Sequence, residues 1–175
     1  MTKVAVVASA SGNGKTTLGR ELARRLGTPF FELDALVHGP NWVETPDDEL
    51  RALVEPIVAS DRWVIDGAYR GKLGDLVLDA ADVVVWLDLP VRVWLPRLAR
   101  RTWRRIRSRE LLWNGNRESL GSALWGRESL VVWSFRSHFR RRREWPQAFS
   151  HLRVIRLATT SEVERFLAEA SASTS

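Results

Sequence analysis

A continuous apolar run, Val4-Ala5-Val6-Val7-Ala8, breaks abruptly into Ser9-Ala10-Ser11-Gly12-Asn13-Gly14-Lys15-Thr16-Thr17. After it Leu18, Leu22 and Leu26 recur every fourth residue. The run predicts a strand buried on both faces, and the leucine spacing predicts one face of a helix. A strand that turns through small residues and Gly-Lys-Thr into a helix is the context a phosphate-binding loop requires. A chance Gly-Lys-Thr with a solvated Lys15 is the competing reading, and the strand and helix on either side argue against it.

The chemistry follows from backbone access. Small residues let the N–H groups around Gly12 to Thr16 approach a polyphosphate, and the helix start adds unpaired donors and a positive dipole end. Ser11, Gly12, Asn13, Gly14, Lys15, Thr16 and Thr17 are therefore the candidate ATP-binding residues. Lys15 would reach the β- and γ-phosphates, and the Thr16 hydroxyl would hold Mg²⁺. The pattern G-x-x-x-x-G-K-[ST] has glycine where this chain has Ser9. Serine is small but gives up easy positive φ, so any change of loop shape is expected there.

Further along, 29–34 reads as a second strand ending in Asp34, and 63–66 as a third ending in Asp66. Residues 83–88 read as a fourth ending in Asp88, and 152–157 as a fifth. Ligands bind at the carboxyl edge of an open α/β sheet, so strand-end carboxylates are candidates. Asp34 could orient a Mg²⁺-bound water or take a proton from an acceptor hydroxyl, or it could cap the next helix. Asp66 fits the second half of an Mg²⁺-nucleotide site; a turn residue is the alternative. Asp88 competes for that role, but reads better as a helix cap or a supporting group. His38, Asn41 and Trp42 lie in a loop-like stretch that could touch an acceptor, though Trp42 would equally serve as packing. Arg70 could hold a phosphate or carboxylate through its planar fork.

Helices are expected after Gly27 caps the first one. One starts with Thr45 as N-cap and Pro46 at N1 and meets Pro56 late; another covers Leu73 to Ala80. A third begins at Val91, and a last one is capped by Thr160 or Ser161. Five strands alternating with helices imply a parallel, helix-covered sheet in a single domain over 1–175. Residues 92–150 are too long for one crossover helix and form a helical, basic insert. Within 112–130 a short imperfect echo, Leu-Trp then Arg-Glu-Ser-Leu, occurs twice. The small, polar tail from Ala168 is expected to fray.

Charge is uneven. The net charge is +6, yet 92–143 alone holds fifteen arginines, no lysine and three glutamates, or +12. The rest is therefore acidic. There is no cysteine, hence no disulfide framework or cysteine metal site. With no apolar run of membrane-spanning length and no room for a signal peptide, a soluble cytoplasmic location without a membrane partner is expected.

On these residues the chain resembles the P-loop kinase superfamily that includes adenylate kinase. The likeness rests on SGNGKTT at 11–17, Asp34, IDGAYR at 65–70 and an arginine-rich insert where those enzymes carry a lid. It is most similar to an adenylate kinase-like group that includes proteins labelled topology modulation, through ELDALVHGPNWVETP and WVIDG. The resemblance implies a three-layer P-loop NTPase fold with strand order 2-3-1-4-5 and an adenine pocket around Ala158 to Ser161. It also implies lid arginines over the phosphates, with Arg97, Arg100 and Arg101 the candidates by position. The function implied is ATP-dependent phosphoryl transfer to a nucleotide or another small acceptor. In that reading Lys15, Asp66, Asp34, Arg97 and Arg101 are catalytic and Asp34, Trp42 and Arg70 touch the acceptor. Thr16 and Asp66 hold Mg²⁺. The alternative is a nucleotide-regulated nucleic-acid binder that uses the Arg/Trp-rich insert.

Overall fold

The computed structural model describes residues 2–108, 112–116 and 129–172. Among the described residues there are five strands: β1 (Lys3–Ala8), β2 (Phe30–Glu32), β3 (Trp63–Asp66), β4 (Val83–Leu87) and β5 (Val154–Leu157). They form one parallel sheet in the order β2-β3-β1-β4-β5. This is the expected order. It puts β1 at the centre, so the loop after it opens at the middle of the carboxyl edge.

Alternation along the strands sorts the core into two layers. Ala5 and Val7 of β1, with Ile65, Val84 and Trp86, face α2 (Leu33–Val37), α3 (Asp47–Ala59) and Phe149. Val4 and Val6, with Val64, Val83 and Val85, face α1 (Lys15–Leu26) and α8 (Thr160–Ala172). Leu18, Leu22 and Leu26 are all buried there, each contributing about 1.5–3 kcal/mol. Gly27 ends α1 at φ 57°, as its position predicts.

Several boundaries differ from the sequence reading. The second strand is only Phe30–Glu32, and Asp34 lies in the first turn of α2 rather than at a strand end. Pro46, not Thr45, occupies the N-cap of α3, because the Thr45 hydroxyl instead donates to the Leu36 carbonyl at 2.6 Å. The helix expected over 73–80 is two short ones, α4 (Arg70–Leu73) and α5 (Leu76–Asp79), broken at Gly74 with φ 61°. The fifth strand starts at Val154 rather than Leu152. Thr159, rather than Thr160 or Ser161, caps α8: its hydroxyl accepts from the Glu162 N–H at 3.2 Å. The Glu162 carboxylate in turn accepts from the Thr159 N–H at 3.3 Å, closing a reciprocal capping box, and from the Ala158 N–H at 2.6 Å. The tail expected to fray from Ala168 stays helical through Ala172.

In the basic stretch α6 (Val91–Ser108) and α7 (Leu130–Ala148) are long helices, with a short 3-10 turn at Trp113–Gly115 between them. Trp94 and Leu98 of α6 are buried against Ala10 and the aromatic face of α7, where the Trp94 ring stands 5.1 Å from Phe135 and 5.7 Å from His138. Most of the repeated Leu-Trp/Arg-Glu-Ser-Leu echo lies outside the described residues.

Candidate active site

The loop after β1 is bent by two glycines at positive φ, Gly12 at 82° and Gly14 at 89°. Gly12 is constrained twice. A Cβ there would meet the Trp94 carbonyl oxygen at 2.5 Å and Leu98 Cβ at 2.9 Å, so α6 packs directly on the loop. Asn13 is buried and spends its side chain on the fold: Nδ2 donates to the Ala10 carbonyl and Oδ1 accepts from the Leu89 N–H, each at 2.9 Å. Only its backbone is left to face a phosphate.

Ser9 explains its own departure from the glycine pattern. It is not among the positive-φ residues, so glycine is not required. Its fully buried hydroxyl donates to Asp88 Oδ1 at 2.7 Å and accepts from the Trp86 indole N–H at 2.8 Å. Asp88 also pairs with Arg156 and, at 3.2 Å, with Arg142 of α7. It is therefore a buried junction between loop, β5 and α7, the supporting role read from the sequence.

Asp66 sits at the end of β3, opposite Val6 of β1, and is fully buried. The Lys15 ammonium and the Thr16 hydroxyl both converge on it, the latter donating at 2.5 Å. Burial pulls the Lys15 pKa down; Asp34 and Glu32 oppose that pull, while Arg141 and Arg101 reinforce it. A hydroxyl and a carboxylate side by side suit a hard divalent cation. Mg²⁺ needs few protein ligands when phosphates and waters supply the rest. Among the described residues no group of three or more His, Cys, Asp or Glu is gathered to hold a metal alone. The donor set thus fits Mg²⁺ bound together with a nucleotide.

Asp34 accepts a hydrogen bond from the Tyr69 hydroxyl at 2.6 Å. That hydroxyl also lies 3.4 Å from His38 Nε2. Burial, then the Asp34 charge and its hydrogen bond, push the Tyr69 pKa far up, so Tyr69 stays a donor. Tyr69 holds an uncommon left-handed backbone, φ 44°. His38 continues into an aromatic cluster, with ring centroids 5.4 Å from Trp42 and 5.8 Å from Trp113. Trp113 belongs to the turn between α6 and α7. Asn114 Nδ2 donates to the His38 carbonyl at 2.6 Å, Asn116 Nδ2 donates to the Gly39 carbonyl at 2.8 Å, and Asn116 Oδ1 accepts from the Trp42 N–H at 2.9 Å. The basic stretch therefore folds back onto the 38–42 loop.

The arginines divide differently from their sequence positions. Arg97 and Arg100 are exposed on α6; Arg101 is half-buried and near enough for its charge to act on Lys15. Arg70 is taken by Asp75, with bonds of 2.5 and 3.1 Å. The arginine that sequence reasoning missed is Arg141 of α7. It donates to the Ala8 carbonyl at 2.7 Å and lies between Trp133 and Trp145, 5.2 and 5.1 Å from their centroids. Burial lowers its pKa to about 10, with Arg140 adding to the shift and Tyr69 opposing it. The signal was present: Trp133, Arg141 and Trp145 are spaced by eight and four, one helix face.

Comparison with known proteins agrees with this fold. A family model described as shikimate kinase matches residues 11–41, from the loop through α2. No curated protein matches the chain. Among solved structures, shikimate kinase from Acinetobacter baumannii in complex with shikimate superposes with TM-score 0.59 at 18% identity, covering 99% of this chain and 95% of that one. A gluconokinase from Sinorhizobium meliloti 1021 gives 0.55 at 21%, covering 99% and 91%. Deoxyadenosine kinase from M. mycoides with bound dCTP gives 0.52 at 11%, covering 97% and 99%. At these identities the likeness establishes the fold: the chain has the fold of the P-loop kinases, as the resemblance to the adenylate kinase-like group implied.

Proposed function

We propose that the protein is an ATP-dependent small-molecule kinase that moves the γ-phosphoryl group to an acceptor hydroxyl. The observation that carries this reading is the convergence of Lys15 and Thr16 on the buried Asp66 at a glycine-bent loop. Bound Mg·ATP would supply the phosphoryl group and an electrophilic phosphorus. The loop N–H groups and Lys15 hold the phosphate oxygens, and Thr16 and Asp66 hold the cation. Arg141 and Arg101 stabilise negative charge as it spreads over the transferring group. The 92–150 stretch acts as the lid that keeps water away. Asp34, oriented by Tyr69, takes the acceptor proton. Catalysis is then positioning and electrostatics.

The acceptor end is acidic and aromatic. The cations Arg20, Arg70 and Lys72 are paired with Glu32, with Asp75, and with Glu44 and Asp47. His38, Trp42 and Trp113 offer ring edges and faces. This composition favours an uncharged or cationic alcohol with a flat or CH-rich face over a carboxylated or phosphorylated acceptor. The test is ADP formation from Mg·ATP across a panel of nucleosides, amino alcohols, sugars, sugar acids and nucleoside monophosphates, with Lys15→Ala as control. Stimulation by the uncharged or cationic alcohols that vanishes in the variant is expected. Absence of stimulation by every acceptor would remove the kinase reading; stimulation by the anionic acceptors alone would remove the acceptor class.

A further inference from the structure

The small-molecule reading leaves the outward faces of α6 and α7 unused. On α6 the exposed residues Arg100, Trp103, Arg104 and Arg107 recur at i, i+3, i+4 and i+7. On α7 Trp133, Arg136, Arg140 and Arg143 recur at i, i+3, i+7 and i+10, again one helix face. Half of the large hydrophobic side chains that the described residues leave exposed are aromatics of these two helices: Trp103 at 61%, Phe139 at 61% and Trp133 at 45%. Trp133, Arg136, Ser137, Phe139, Arg140 and Arg143 line an open groove of about 480 Å³. Among the described residues Arg140 and Arg143 form ion pairs with Glu144, at 3.9 and 4.0 Å, with side chains 60% and 84% exposed.

Burial costs nothing here because the apolar work is done on the opposite faces, where Trp94, Leu98 and Phe135 pack together. Trp103, Phe139 and Trp133 lie outside that cluster, although Trp133 also stacks on Arg141 at 5.2 Å and Phe139 meets His138 at 5.1 Å. A solvated arginine face alone would need no tryptophan. An anionic membrane would need a continuous apolar stripe, whereas each face here sets one or two aromatics among arginines. A duplex hides its base faces. A polyanion with free ring faces satisfies both features at once: arginines on phosphates, tryptophan and phenylalanine on bases.

We propose that the outward face of α7, lined by Trp133, Arg136, Phe139, Arg140 and Arg143, binds single-stranded nucleic acid. The site shares Trp133 with the Arg141 stack but stands without the kinase reading. Arg141 and Arg142, which reach inward to Ala8 and Asp88, are not part of it.

The experiment is fluorescence anisotropy of a fluorescein-labelled 20-mer oligothymidylate with the full-length protein, between 50 and 200 mM KCl. Binding should weaken linearly in log[salt]. The triple variant Arg136→Ala, Arg140→Ala, Arg143→Ala should lower the slope by about 2, from about 0.7 per lost phosphate contact on a single strand. Phe139→Ala with Trp133→Ala should weaken binding roughly tenfold or more at an unchanged slope, the size of a lost stacking contact. The same strand annealed to its complement, and polyphosphate of equal charge, should compete poorly. Thermal midpoints of the variants verify folding; Phe139→Ala alone, at a 61% exposed position, keeps the stacking test valid if the double variant unfolds. No binding at 50 mM salt overturns the proposal, as does a slope unchanged in the folded triple variant. Equal affinity for duplex or for anionic vesicles also overturns it. Self-association abolished by the triple variant, with no oligonucleotide binding, would assign the face to a second copy's acidic body instead.

Discussion

Restoring the glycine of the loop pattern at position 9 should harm this protein. Ser9, Trp86 and Asp88 are 0%, 3% and 1% exposed, and the Ser9 hydroxyl bonds both partners. In Ser9→Ala the hydrogen bond to the carboxylate is lost, at about 1.5–3 kcal/mol, and the Trp86 N–H is left buried without a partner, at about 1–3 kcal/mol. Asp88 keeps Arg156 and Arg142, so its charge is not orphaned and the lower half of the range applies. The expected loss is about 3 kcal/mol, or a fall in Tm of about 6–12 °C for a chain of this length. Ser9→Gly should cost roughly 0.5–1 kcal/mol more, because it adds freedom to the unfolded chain at a position that does not use positive φ. Urea unfolding of the three proteins gives the numbers. If Ser9→Gly is as stable as the parent, or more so, Ser9 is only a tolerated small residue and the junction with Asp88 is not a source of stability.

Tyr69→Phe removes the hydrogen bond that orients Asp34; turnover should fall about tenfold with thermal stability nearly unchanged, measured as kcat with the best acceptor beside a melting curve. Arg141→Ala should reduce turnover roughly 10²-fold, whereas Arg97→Ala, at an exposed position, should change it less than twofold. Asp82 accepts from the Thr2 and Lys3 N–H groups and the Thr2 hydroxyl, and the Lys3 and Thr2 bonds hold its pKa at about 2. A depressed carboxyl pKa gives stability that is present above the unfolded value near 4 and is lost as pH falls toward about 2. Acid unfolding of the parent against Asp82→Asn should show that step in the parent alone. Asn114→Ala with Asn116→Ala should loosen the 38–42 loop, read as faster amide exchange at His38 and Gly39.

What was legible in the sequence was whatever a local pattern encodes. Val4 to Ala8 and Leu18, Leu22 and Leu26 carry their own periodicity, so β1, the loop and α1 needed no tertiary information. Asp66 was legible because it ends an apolar run beside a phosphate loop. Asp34 was legible by type and not by place: a three-residue edge strand gives too little alternation to locate its end. The approach of Arg141 to the loop was not legible for a different reason. Which arginine meets the loop depends on how α7 lies over Ala8, and that is set by Trp94 meeting Phe135 and His138 across two helices. The docking of Trp113, Asn114 and Asn116 on the 38–42 loop links residues more than seventy apart, and no spacing rule announces it.

The central claim is that Lys15, Thr16 and Asp66 serve transfer of a phosphoryl group to an acceptor rather than binding alone. The direct measurement follows ATP labelled at the γ-phosphate, incubated with Mg²⁺, protein and the acceptor that best stimulates ADP formation. The account predicts label in a new phosphate ester, formed in step with ADP and absent with Asp66→Asn or Lys15→Ala. Label that stays in ATP, or emerges only as inorganic phosphate at a rate no acceptor changes, would contradict it.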